Sequence, residues 1–138
     1  MIITICGSVF FAKEILETKE KLESLGHQVF APERLDLHLD GMLTEGGKSE
    51  SAEVKMEHDL IRDHYGKINS SDAILVLNYD KKGIKNYIGG NSFLEIGFAY
   101  IMNKKVFLLN NIPEIENYKQ EIIAMKPIVI KNILENIK

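Results

Sequence analysis

One cysteine, Cys6, is all the chain has, so an internal disulfide is excluded. No apolar run approaches the roughly 20 residues that a transmembrane helix needs. The N-terminus leads straight into a β-branched segment with no signal-peptide pattern, and a cytoplasmic protein without membrane association is expected. An excess of positive charge is also missing. Seventeen Lys and Arg against twenty Asp and Glu leave a net charge of -3, which offers no basic surface for nucleic acid. A small anionic ligand is not excluded on that ground, since a local pocket of backbone N–H groups suffices to hold one. The G-x-G-x-x-G pattern is missing, which argues against a nicotinamide-dependent enzyme. H-E-x-x-H and C-x-x-C are missing too, so neither a metal nor a cofactor is expected. There is no internal repeat and no low-complexity tract. At 138 residues, 45% hydrophobic and 27% charged, the chain has the size and composition of one globular domain spanning residues 1–138.

Within that length, short apolar segments alternate with helical patterns. Ile2 to Cys6 is a β-branched run ending at Gly7-Ser8 and predicts a strand followed by a turn. Phe11, Ile15, Thr18, Leu22 and Leu25 recur at spacings of four and three, the signature of one helical face, and Gly26 stops it. Val29 to Ala31 reads as a brief strand closed by Pro32. The stretch from Glu33 to about Ala52 is polar and glycine-bearing, and reads as a binding loop or lid, with plain disorder as the alternative. A helix is expected from about Glu53 to Asn69, interrupted or frayed near Gly66. Ala73 to Leu77 is continuously apolar, as a strand covered on both faces should be. After Asn78 and a second glycine-bearing loop, a helix is expected from Ser92 to about Met102 and a strand from Val106 to Leu109. A helix around Glu116 to Met125, a strand from Pro127 to Ile130 and a final short helix complete the pattern. This alternation predicts an α/β fold, a doubly wound, Rossmann- or flavodoxin-like sheet of five parallel strands. Such sheets bind ligands beyond the carboxyl ends of their strands. That directs attention to Cys6, Gly7 and Ser8, to Asn78 and the loop after it, and to Asn110.

Glu95 is the lone charge in Phe93-Leu94-Glu95-Ile96-Gly97-Phe98-Ala99-Tyr100-Ile101, a helix apolar on almost every side and therefore expected to be buried. A buried carboxylate is costly unless it is paired or used. A position in the first helical turn would help to keep it ionised, which suits a nucleophile. The competing reading is structural: Ser92-Phe93-Leu94-Glu95 matches the S-x-x-E capping box. Gly89, Gly90 and Asn91 could present N–H groups to a ligand or form an ordinary flexible loop. Asp59, Asp63, His64 and Asp72 are the remaining titratable candidates. Asp72 reads most simply as a helix terminator, and His64 could be a surface residue.

Taken together, Ile5-Cys6-Gly7-Ser8, Ser71-Asp72, Gly90-Asn91-Ser92-Phe93-Leu94-Glu95-Ile96-Gly97-Phe98-Ala99 and Asn103-Lys104-Lys105 resemble the nucleoside 2-deoxyribosyltransferase superfamily, which includes 2′-deoxynucleoside 5′-monophosphate N-glycosidases. The discriminating element is E-x-G-x-A. The resemblance implies that Glu95 attacks C1′ of a deoxyribose and that Gly7 and Ser8 contact sugar or phosphate. It also implies a nucleoside or nucleotide as partner, and an assisting acid that Asp59, Asp63 or His64 could supply. The arginine that phosphate-preferring members carry after the glycine-serine turn is absent; Phe10 stands nearest. Two alternatives compete. A phosphoribohydrolase with G-G-x-G-T-x-x-E would also cleave an N-glycosidic bond, but Gly89 to Glu95 is one residue too short for that motif and lacks its later glycine and threonine. A nucleotide-sensing module would use Glu95 only as a cap or a ligand contact. A fold this small often completes its site in a homodimer, for which Phe98, Tyr100, Ile101 and Met102 offer a surface.

Overall fold

A computed structural model of the chain describes residues 1–33, 35, 52, 56 and 59–138. Almost all of the expected lid, and the first part of the helix expected from Glu53, lie outside the described residues. Five parallel strands form one sheet: β1 (Ile2–Cys6), β2 (Gln28–Phe30), β3 (Ala73–Val76), β4 (Lys105–Leu108) and β5 (Ile128–Val129), in the order β2-β1-β3-β4-β5. The helices between them are α1 (Ala12–Ser24), α2 (Leu60–Asn69), α3 (Gly90–Ile101) and α4 (Lys119–Ala124). The expected α/β sheet is therefore present with all five strands parallel.

The period-two alternation of the strands divides the interior between two layers. Ile3 and Ile5 of β1, Ala73 and Leu75 of β3 and Phe107 of β4 pack with Ile15 and Leu22 of α1 on one face. Cys6, Ile74, Val76, Val106 and Leu108 point the other way, against Ile68 of α2, Ile96 and Ala99 of α3 and Ile122 of α4. Chain order reverses between β1 and β3, which are hydrogen-bonded neighbours with Cys6 opposite Val76. The crevice of a doubly wound sheet opens at this switch point. Cys6 therefore stands, fully buried, at the mouth of the crevice and on the α2/α3 face.

Two helices differ from the sequence reading in ways that matter for the site. Helix α2 runs unbroken through Gly66, because its His64 and Ile68, four apart, are both held against the sheet and packing outweighs the glycine's low propensity. Helix α3 begins at Gly90, two residues earlier than expected, with Gly89 as its N-cap. It is also only half buried. Ser92, Glu95, Ile96 and Ala99 form the inward stripe, while Leu94, Tyr100 and Ile101 are exposed on the opposite side. Together with Tyr65 of α2 and Met125 after α4, that outer side borders an apolar hollow of about 570 Å³. Among the described residues, no helix is long and apolar enough to cross a membrane.

Candidate functional site

Glu95 is reached from its own helix, from α2 and from β1. The early start of α3 puts it in the second helical turn, and no acidic residue occupies the first. The competing capping box therefore does not form: Ser92 lies inside the helix, whose N-cap is Gly89, with the Phe93 N–H bonded to the Gly89 carbonyl at 2.9 Å. Glu95 is also too far along the helix for the terminal N–H groups to stabilise its charge, since that effect fades within the first turn. Its neighbours are side chains instead. Asn91, one turn earlier, donates from Nδ2 to Glu95 Oε1 at 3.1 Å. His64 of α2 brings Nε2 to 2.8 Å from Glu95 Oε2, with the two residues 9% and 5% exposed.

Completing the cluster, Cys6 Sγ lies 3.5 Å from the same His64 Nε2. One ring nitrogen thus faces both a thiol and a carboxylate, with a single proton or lone pair to offer them. The close approach to Glu95 is an ion-pair distance without hydrogen-bond alignment, so Glu95 Oε2 is left without a hydrogen-bond partner among the described residues; on the other side of the ring His64 Nδ1 lacks one too. Burial pushes the Cys6 thiol well above its usual range, and the neighbouring Glu95 carboxylate adds to that push. A neutral, unreactive thiol is the consequence.

The turn after β1 forms the second part of the site. Gly7 has φ of 156°, in a region L side chains rarely adopt, and a Cβ there would meet the Leu77 carbonyl oxygen at 3.4 Å. Ser8 follows as the N-cap of a short 3-10 turn over Val9–Phe11 and accepts a hydrogen bond from the Phe10 N–H at 3.2 Å. Lys81, only 7% exposed, donates from Nζ to Ser8 Oγ at 2.7 Å and lies over the Phe10 ring. Sequence reasoning passed over this lysine. Its signal was present but faint: a cation in the loop after β3, a loop already marked for its place at the strand ends.

Other candidates fall elsewhere. Asp59 adopts a left-handed conformation at the start of α2 and pairs with Arg62 on the surface, while Asp63 points away from Glu95 to Lys67 at 3.2 Å. Asp72 accepts a bond from the Ile2 N–H at the opposite, N-terminal edge of the sheet. Asn78 and Asn110 fasten β3 to β4. Asn78 Nδ2 donates to the carbonyls of Asn110 and Asn111, its Oδ1 accepts from the Asn110 N–H, and Asn110 Nδ2 returns a bond to the Asn78 carbonyl. With Asn78 fully buried, Asn78→Ala would strand an N–H and two carbonyls. We expect a loss of about 2–4 kcal/mol in stability, read from the urea unfolding midpoint.

No protein-family model matches the sequence, and no curated protein does. Solved structures do match. A 2-deoxyribosyltransferase from the psychrotolerant bacterium Bacillus psychrosaccharolyticus superposes with a TM-score of 0.54 at 22% identity, over 78% of this chain and 71% of that one. A CMP N-glycosidase from Clostridium botulinum superposes with a TM-score of 0.53 at 15% identity, over 98% of this chain and 93% of that one. The five parallel strands and the helices that hold Glu95 against Cys6 and His64 thus form a fold that this chain shares with that 2-deoxyribosyltransferase and that CMP N-glycosidase.

Proposed function

We propose that this protein cleaves or transfers the N-glycosidic bond of a nucleoside or nucleotide, with Glu95 as nucleophile and His64 as the proton donor to the departing base. The observation that carries the reading is a buried carboxylate with one oxygen fixed by Asn91 and the other unbonded beside His64, at the switch point of the sheet. An unpartnered buried oxygen is costly in a purely structural role and is the atom a nucleophile needs. The two matching structures, one of a deoxyribosyltransferase and one of a CMP N-glycosidase, support the same bond as the target.

In this mechanism Glu95 Oε2 attacks C1′ on the face opposite the base. The C1′–N bond breaks with its electron pair going to the base nitrogen, which takes a proton from the His64 ring. A glycosyl ester on Glu95 results. Water then releases the sugar, or a second base accepts it, and His64 reverses its role by taking the incoming proton. Asn91 holds Oε1 throughout, which leaves Oε2 as the attacking atom. Incubating the protein with a panel of nucleosides and nucleoside monophosphates, with and without an acceptor base, and resolving the products by chromatography tests the proposal. Free base without exchange identifies a hydrolase and exchanged base a transferase; no product from any member of the panel counts against both, and in favour of a sensing module.

The position of Lys81 favours a phosphorylated substrate. It supplies, from the loop after β3, a cation beside the Ser8 hydroxyl, near where phosphate-preferring relatives would carry their arginine. Lys81→Met should raise KM for a monophosphate by roughly 10- to 100-fold, the loss of one charge-assisted hydrogen bond, and leave KM for the matching nucleoside nearly unchanged. We also place a second copy of the chain on the exposed Leu94, Tyr100 and Ile101 side of α3. A monomer in sedimentation equilibrium at working concentration would remove this part of the proposal.

A further inference from the structure

Three side chains with metal-ligating atoms meet at one point: Cys6 from the end of β1, His64 from α2 and Glu95 from α3, all buried and with their ligand atoms within 4.8 Å of one another. We propose that they form a site for a thiophilic divalent cation of the Zn²⁺ class, and that its occupancy withdraws the Glu95 carboxylate from glycosidic chemistry. The second half rests on the nucleophile role proposed above; the first does not.

Geometry is the first support. Zn–N and Zn–O bonds of about 2.0–2.1 Å and a Zn–S bond of about 2.3 Å place neighbouring ligands of a tetrahedral ion roughly 3.3–3.6 Å apart. Cys6 Sγ and His64 Nε2 already stand at 3.5 Å. His64 Nε2 and Glu95 Oε2, at 2.8 Å, must open by about 0.5 Å to admit the ion, a movement within reach of the soft terminal torsion of the glutamate.

Unmet bonding is the second. Glu95 is more than nine-tenths buried, and its Oε2 has no hydrogen-bond partner among the described residues although it points into the cluster. A cation at the centre of the three atoms would satisfy the oxygen, the ring nitrogen and the sulfur at once, which one proton on Nε2 cannot do. Ligand chemistry is the third. One thiolate, one imidazole and one carboxylate suit Zn²⁺ or Co²⁺ better than Mg²⁺ or Ca²⁺, which prefer oxygen alone. Three protein ligands leave a fourth position for water or another small ligand. On binding, Cys6 loses its thiol proton to solvent, His64 binds as the neutral ring and Glu95 as the anion; no electron changes hands.

Co²⁺ is the probe for the test, because its spectrum reports both coordination geometry and thiolate ligation. Titrating the full chain with Co²⁺ should give one equivalent with intense tetrahedral d–d bands and a thiolate-to-metal charge-transfer band. Zn²⁺ should displace both. The charge-transfer band can come only from Cys6, the one cysteine. Cys6→Ser should abolish that band, and His64→Ala, which leaves β1 intact, should lower the affinity at least 100-fold. Only weak octahedral bands, unchanged in Cys6→Ser, would overturn the site. The base-release assay addresses the regulatory half. Stoichiometric Zn²⁺ should suppress turnover and a chelator restore it, and full activity with the site loaded would overturn that half. Absence of all turnover with the Co²⁺ spectrum intact would refute the glycosidic reading and still support the metal site.

Discussion

Glu95→Gln is expected to lower base release or exchange by at least ~10³-fold while leaving the fold in place. Gln has nearly the volume of Glu, so α3 keeps its packing against β3 and β4 and no cavity opens. What it lacks is the anionic oxygen. An amide is a poor nucleophile, and it can form no glycosyl ester that water would turn over. The structure sharpens this expectation, because Ser92 and Glu95 do not form a capping box and the substitution removes no helix cap. Stability should therefore change by less than the ~1 kcal/mol typical of a lost cap, and could rise, since a buried charge is removed. Base release and thermal unfolding measured on the same preparation separate catalysis from structure. Wild-type turnover in Glu95→Gln would falsify the nucleophile assignment, whatever the melting temperature. A mass increment of one deoxyribosyl group on Glu95, trapped from a slow substrate, would support it directly.

Most of the architecture was legible in the sequence because it is written in local periodicity. The β-branched run Ile2–Cys6 and the apolar run from Ala73 lie where strands were expected, and their parallel pairing follows from the helices between them. The start of α3 was less legible. Gly89 and Gly90 read as loop because glycine disfavours helix interiors, yet at the N-terminus Gly89 serves as the cap, and the helix takes in Gly90 and Asn91. One consequence is that Asn91 lies one turn before Glu95 and bonds it. The half-exposed state of α3 was also hidden, because an apolar side chain reads the same whether it faces a core or a hollow at the surface.

The site was legible one residue at a time but not as a cluster. Cys6, His64 and Glu95 come from three elements and are joined only by the sheet order, which places β1 beside β3 and lets α2 and α3 converge over their ends. Motif searches for metal or acid–base chemistry look for short spacings along the chain, and separations of 58 and 31 residues offer none. The choice among Asp59, Asp63 and His64 was left open by the sequence for the same reason. Helical geometry separates them: His64 and Ile68 share the inward face, and Asp63 is turned about 100° away from it by the 3.6-residue period. Lys81 was missed because a lysine in a polar loop ordinarily faces water, whereas this one is drawn inward by the Ser8 hydroxyl and the Phe10 ring.

His64→Ala should lower turnover by about 10²- to 10⁴-fold, the usual contribution of a positioned general acid, and the loss should depend on the leaving group. If His64 protonates the departing base, substrates whose base leaves readily without a proton need it least. A series of nucleosides or monophosphates graded by the basicity of the leaving nitrogen should then show a steep dependence in His64→Ala and a shallow one in the wild type. A role confined to positioning Glu95 makes a different pattern. The carboxylate would be misplaced for every substrate alike, all rates would fall by the same factor, and the two slopes would be parallel. Stability provides an internal control. Removing the ring takes its Nε2 away from Cys6 and Glu95 and leaves the buried carboxylate held by the Asn91 amide, so a destabilisation of roughly 1–3 kcal/mol is expected together with the kinetic effect. His64→Gln, which restores a hydrogen-bonding group of similar length but cannot act as an acid, should recover much of that stability and little of the rate on poor leaving groups. Parallel slopes, or recovery of the rate by Gln on a purine substrate, would move His64 from proton donor to positioning residue.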